Sequence, residues 1–112
     1  MKTLLLMALL WGNSPENALL LGNQIAIQAD CSYDQEKNKA YIYDCGQYMS
    51  FSAFKLYMSS FIMSYTDITQ ILPWQIVENN GRAIVIKYDG GTYGIIYNET
   101  AKLFVIQYFG EA

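Results

Sequence analysis

Arg82-Ala-Ile-Val-Ile-Lys-Tyr88, Asp89-Gly-Gly91 and Thr92-Tyr-Gly-Ile-Ile-Tyr97 form the stretch whose reading decides the fold. Two runs rich in β-branched and aromatic residues flank a short glycine-containing segment. Asp89-Gly-Gly91 makes a tight turn between them, and Asn-Gly, as in Asn80-Gly81, is the strongest short hairpin signal because both residues tolerate positive φ. On one side lie Trp74-Gln-Ile-Val-Glu78 and the turn signal Asn79-Asn-Gly81. On the other lie Asn98-Glu-Thr-Ala101 and Lys102-Leu-Phe-Val-Ile-Gln-Tyr-Phe109. The spacing predicts a four-stranded antiparallel meander over 74–109.

Side chains alternate across a strand, so each strand reports on both sheet faces. With Gly90-Gly91 as the loop, Tyr88 pairs with Tyr93, Ile86 with Ile95 and Ile84 with Tyr97, all on one face. Phe104, Ile106 and Tyr108 join them. Ala83, Val85, Lys87, Gly94, Ile96, Leu103, Val105 and Phe109 take the other face. An antiparallel sheet wetted on one side normally alternates apolar with polar; this one is apolar on both. One helix covers one face. The second then needs the Leu-rich N-terminal segment, a sheet curled into a barrel, or another protein chain.

The helix is expected over 50–66. Phe54, Tyr57, Met58, Phe61, Ile62 and Tyr65 recur at i, i+3, i+4, i+7, i+8 and i+11, one stripe of an α-helix. Ser52, Lys55, Ser59 and Ser60 oppose them with a single charge, which predicts burial over much of the circumference. Thr66 and Asp67 cap a short turn through Gln70, and Pro73 prevents a long continuation. Upstream, the weakly alternating Asn23–Asp30 and the β-branched and aromatic Lys39–Cys45 read as a hairpin over 23–45, with polar Ser32–Asn38 as its tip. Residues 1–22 are Leu-rich and serve either as a retained cover or as a secretory-type signal. Their apolar run is far shorter than the roughly 20 residues of a membrane span. Ser14-Pro15-Glu16 reads as a helix start and Gly22 as its stop. The expected fold is α+β: one domain over 1–112 with an N-terminal β-hairpin and one central helix packed on the C-terminal meander.

Composition narrows the chemistry. The chain has 112 residues, 53% hydrophobic and 15% charged, with net charge -3. Ordinary soluble domains carry roughly 25% charge, and disorder needs low hydrophobicity. Cations are scattered and Arg82 is the sole arginine, which argues against nucleic acid. Histidine is absent, which removes Ser-His-Asp and Cys-His nucleophiles and His-containing zinc sites. No cofactor, metal or catalytic residue is expected. Asp30, Ser32, Asp34, Glu36 and Asn38 alternate as calcium-loop ligands do, but Gln35 stands where the turn glycine belongs and Tyr41 where the bidentate glutamate belongs. A hairpin tip centred on Gln35-Glu36 puts Cys31 opposite Ala40 and Cys45 opposite Ala26, out of bridging register. An irregular loop would still join them, so a disulfide and two free buried thiols both stand. Asn98-Glu99-Thr100 is a formal glycosylation sequon at a turn.

A cytoplasmic, small, acidic, non-enzymatic protein-binding module of inhibitor, immunity or anti-defence type follows. It acts by occluding a partner protein's surface or by homodimerising through the second sheet face. Ten tyrosines support an interface, because tyrosine combines apolar area with a hydroxyl that tolerates water. Tyr88, Asp89, Tyr93, Tyr97, Phe104 and Tyr108 are the expected partner-binding residues. The alternatives are a carrier of a small apolar ligand and an exported, disulfide-bonded protein that is secreted or periplasmic after signal cleavage. A hydrolase would need two of Asp44, Asp89 and Glu99 to converge.

Overall fold

The computed structural model describes residues 15–65 and 67–111. In chain order it contains α1 (Pro15–Ala29), β1 (Ser32–Lys37), β2 (Ala40–Asp44), α2 (Phe51–Met63), β3 (Ile68–Ile71) and β4 (Gln75–Val77). A short 3-10 turn (Glu78–Asn80) leads to β5 (Gly81–Tyr88), β6 (Gly91–Asn98) and β7 (Leu103–Glu111). The fold is α+β, two helices on a large antiparallel sheet. Its strand order is β1-β2-β7-β6-β5-β3, with β4 also on β5. The expected meander is β4 to β7; the sheet is wider because β1–β2 docks on β7 and β3 joins the outer edge of β5. There β4 holds the Gly81–Ala83 end and β3 the Ile86–Tyr88 end. Strand β1 does not meet β3 or β4, so the sheet stays open rather than closing into a barrel.

The loops differ from expectation in where they place glycine. Asp89 and Gly90, with φ of 49° and 80°, make the β5–β6 turn, and Gly91 is already a strand residue opposite Tyr88. Ile86 therefore faces Tyr93 and Ile84 faces Ile95. That is a two-residue slip, which leaves every side chain on its expected face. Before β5, Asn79 and Asn80 supply the positive φ, while Gly81 pairs with Val77. Asn and Asp tolerate this region because their short polar side chains bond locally.

Three elements correct the sequence reading. Asn23–Ala29 is helix, not strand, and α1 runs straight through Gly22. The hairpin is β1–β2, and its turn is Asn38-Lys39, both at positive φ, not a long polar tip. Residues 68–71 form strand β3 rather than a helical turn. Thr66, Ser14 and the Leu-rich residues 1–14 lie outside the described residues. Helix α2 begins after Ser50, whose side chain accepts the Ala53 amide at 3.2 Å, and ends at Met63. Among the described residues no helix is long and apolar enough to cross a membrane.

Both helices pack on the same face of the sheet. Ala18, Leu21, Ile25, Ala26 and Ala29 of α1 and Phe54, Met58 and Phe61 of α2 meet Tyr43, Ile84, Ile86, Tyr93, Ile95, Tyr97, Phe104 and Ile106 in one core. Rings organise it: Tyr43 stacks on Phe104 at 4.6 Å and Phe54 on Tyr97 at 4.3 Å. At the other end Tyr65, Tyr88, Tyr93 and Tyr108 form a chain of edge and tilted contacts. Such ring pairs contribute about 0.5–1.5 kcal/mol each beyond area burial.

Candidate functional site

Strand alternation and the position of both helices leave the back of the sheet bare of every described element. Val77, Ala83, Val85, Ile96, Val105, Leu103 and Ile42 occupy that side by register, together with the polar Gln75, Lys87, Thr92 and Gln107. Each is half-buried by its strand neighbours rather than by a layer above. Two close approaches give the surface its shape. Gly81 admits the methyl groups of Val77 and Ile96, and Gly94 lies beneath the ring of Phe109. Phe109 remains 59% exposed and is the most prominent aromatic group on this side.

The residues expected to bind a partner lie on the opposite, helix-covered face. Tyr93, Tyr97 and Phe104 have no exposed surface at all. Their place in the core corrects the sequence reading: the helices cover the face with the largest rings, because burying those removes the most apolar area from water. Tyr88 and Tyr108 keep part of their surface, and Asp89 is exposed at the β5–β6 turn. Asp44, Asp89 and Glu99 sit in three different places: the end of β2, the β5–β6 turn and the β6–β7 turn. Asp44 accepts the Gly46 amide at 2.8 Å and Glu99 the Phe51 amide at 2.6 Å, so both cap backbone. Asn98, the sequon asparagine, donates to the Asn79 carbonyl at 3.1 Å and accepts from the Ala101 amide at 2.9 Å. Asp30, Ser32, Asp34, Glu36 and Asn38 are strung along β1 and its ends rather than folded into a loop.

Cys31 and Cys45 are bridged. The turn at Asn38-Lys39 sets the register up to Gln35–Ile42, and a one-residue bulge at Asp34 then pairs Ser32 with Asp44, so the cysteines immediately outside that pair face each other. The bridge closes the mouth of the hairpin, and the Cys31 amide donates to the Ala26 carbonyl at 3.0 Å, holding the end of α1 there.

Tyrosine hydroxyls dominate the electrostatics. Burial pushes Tyr93 up to about 12 and raises Tyr43 further still, with smaller contributions from neighbouring phenols. Tyr43 donates to Asn23 Oδ1 at 2.7 Å, and Tyr97 donates to the Met49 carbonyl. Asn17 partly opposes the shift of Tyr93 but does not reach its hydroxyl with hydrogen-bond geometry; this is a buried side-chain oxygen without a partner among the described residues. All these phenols are neutral at physiological pH and function as core groups with a polar tip. Among the described residues no three of His, Cys, Asp and Glu gather as metal ligands.

No family model, curated protein or solved structure matches this chain. The functional reading therefore rests on surface chemistry alone.

The described residues also form concavities, two of which bear on function. An open groove of about 470 Å³ runs between α2 and the β3–β4 connection, lined by Ile62, Met63, Ile71, Leu72, Trp74 and Ile84 among others. Its rim includes Met63, 85% exposed. Leu56, on the outer side of α2, is 71% exposed. Helix α2 thus keeps an apolar outer side where burial over most of its circumference was expected. A smaller, polar cleft lies at the start of α2, between Arg82 and Glu99. The β3 edge and the exposed side of α2 were not legible from the stripe at Phe54–Tyr65, although Leu56 and Met63, seven residues apart, mark a second stripe.

Proposed function

We propose that this protein is a small, acidic, non-enzymatic protein-binding module of the inhibitor, immunity or anti-defence kind, occluding a partner's surface with the back of its sheet. The observation that carries this reading is the face of Val85, Ile96, Val105 and Phe109, over which no described element packs. Exposed contiguous apolar surface on a small protein marks an association site. The absence of histidine and the separation of Asp44, Asp89 and Glu99 add to it. Of the residues expected to bind a partner, Asp89, exposed at the β5–β6 turn, stays at the margin of this surface, whereas Tyr88, Tyr93, Tyr97, Phe104 and Tyr108 belong to the helix-covered side. The Cys31–Cys45 bridge favours an oxidising compartment over the cytoplasm, since cystines persist where thiols are not kept reduced.

The test is a photo-crosslinking amino acid placed at Val105 or at Phe109, with Ser60 on α2 as the control. Adducts to a partner, or to a second copy, from the sheet positions and none from Ser60 support the reading. A strict monomer in light scattering with no adduct from either sheet position defeats it.

The groove beside α2 favours a second reading, a carrier of a small apolar ligand. Its volume falls within the roughly 300–1,000 Å³ of ordinary ligand sites and its lining is mostly apolar. Native mass spectrometry of freshly purified protein distinguishes the two, because a carrier retains mass that denaturation releases.

A further inference from the structure

The cleft at the start of α2 carries an inference independent of the sheet's back face. It encloses about 160 Å³ and is lined by Phe51, Asn80, Arg82, Tyr97, Glu99 and Thr100. That is room for about five waters at roughly 30 Å³ each, or for one molecule of similar size. Its two charged walls are of opposite sign yet form no ion pair. The Arg82 guanidinium lies over the Phe51 ring, 5.4 Å from its centroid, and has no side-chain hydrogen bond or ion pair among the described residues. Phe51 is itself fixed edge-on by Trp74 at 5.0 Å. The cation is thus held in a plane with its N–H groups unspent. Across the space, Glu99 uses Oε2 to accept the Phe51 amide, which anchors the carboxylate and leaves Oε1 without a donor among the described residues.

We propose that this cleft binds a small zwitterion, a carboxylate and an ammonium on adjacent carbons or nearly so, of α-amino-acid size. A planar guanidinium takes a carboxylate through two parallel hydrogen bonds, and a stacked arginine loses little freedom in doing so. The ammonium is then directed to Glu99, whose carboxylate lines the same space. A ligand with only one of the two charges leaves the other wall unpaired in a partly dehydrated site, which lowers its affinity. The cleft is on the helix side of the sheet, so this site and the docking face operate separately.

Amide NMR of the oxidised, full-length protein tests the assignment with three probes: L-alanine, sodium acetate and methylammonium chloride. Saturable shifts at Phe51, Arg82, Glu99 and Thr100 are expected with L-alanine at a Kd of about 1 mM or tighter. Acetate and methylammonium should each bind at least about 10-fold more weakly, a loss of roughly 1.4 kcal/mol. Arg82→Gln and Glu99→Gln should each weaken L-alanine similarly; the glutamine keeps an oxygen for the Phe51 amide, so α2 remains capped. The absence of saturable shifts in the wild-type protein overturns the proposal whatever the variants do. Acetate binding as tightly as L-alanine overturns it too, as does unchanged affinity in folded Arg82→Gln.

Discussion

At the scale of single residues, Gly22 shows a helix propensity overruled by packing. Alanine is the better helix former by about 1 kcal/mol, and Gly22 lies mid-helix in α1. A Cβ there would stand 2.6 Å from Cε1 and Oη of Tyr43. Tyr43 is fully buried, stacked on Phe104 and bonded to Asn23, so its ring has nowhere to go. Gly22→Ala should therefore destabilise the protein by a net of up to roughly 2 kcal/mol, read as a lower urea midpoint, since overpacking costs about 1–3 kcal/mol and the helix propensity of alanine returns about 1. A midpoint that rises would show that Tyr43 yields easily. The tyrosines also set an alkaline limit. Tyr93 is held near 12 against an ordinary 10.0, and Tyr43 and Tyr97 are raised as well. The folded state keeps these protons where the unfolded chain releases them. Stability from these groups is thus fully present below pH 10 and is lost as pH rises through the folded values. The unfolding free energy should be flat in these groups up to about pH 9. Above pH 10 it should fall by about 1.4 kcal/mol per pH unit for each such phenol. Urea midpoints taken with tyrosinate absorbance check this; a flat profile to pH 12 would contradict it.

At the scale of elements, the β1–β2 hairpin depends on its ends. Every residue of β1 is exposed, so little apolar burial holds it. A cystine across a 14-residue separation removes loop entropy from the unfolded chain worth about 3 kcal/mol. The double variant Cys31→Ala, Cys45→Ala should lose about that much in chemical denaturation, with amide exchange rising first in β1. Uniform exchange across the whole sheet would indicate that hairpin and core open together. The hairpin also shows why part of the chain was misread. Ser32–Lys37 is polar because β1 is an exposed edge strand, and polarity alone reads as a loop. Helix α1 was hidden differently. Ala18, Leu21, Gly22, Ile25, Ala26 and Ala29 repeat the i, i+3, i+4 spacing of α2, yet Gly22 suggested a stop and Ile25 with Ile27 suggested alternation. Ile27 is 74% exposed, so its apolar character carried no information about the core.

At the scale of the whole molecule, the two sheet faces should respond oppositely to substitution. Phe104→Ala in the core should cost roughly 3–5 kcal/mol and threaten folding. Val105→Asp, one residue along on the back face, should cost about 1 kcal/mol or less, because Val105 is only partly buried and no described element packs over it. The same Val105→Asp should abolish any association seen by light scattering while leaving the far-ultraviolet dichroism of the monomer intact. Equal destabilisation by both substitutions would mean that the back face is covered in the native protein.

The candidate docking surface was half legible. That both faces are apolar follows from alternation in β5, β6 and β7, and a two-residue slip in register could not disturb it. Which face the two helices cover was beyond reach, because it depends on where α1 goes, and Asn23–Ala29 of that helix was read as a strand. The Arg82–Glu99 cleft was equally out of view, its two charged walls being separated in sequence by two strands. Local chemistry in the chain determined the meander, the places of its reversals and helix α2, since each depends on spacing or residue type alone. Tertiary structure decided the choice of buried face, the pairing of Cys31 with Cys45 and the meeting of Arg82 with Glu99. Those outcomes depend on how far apart residues are brought together, and apolar burial, which drives that step, has no direction of its own.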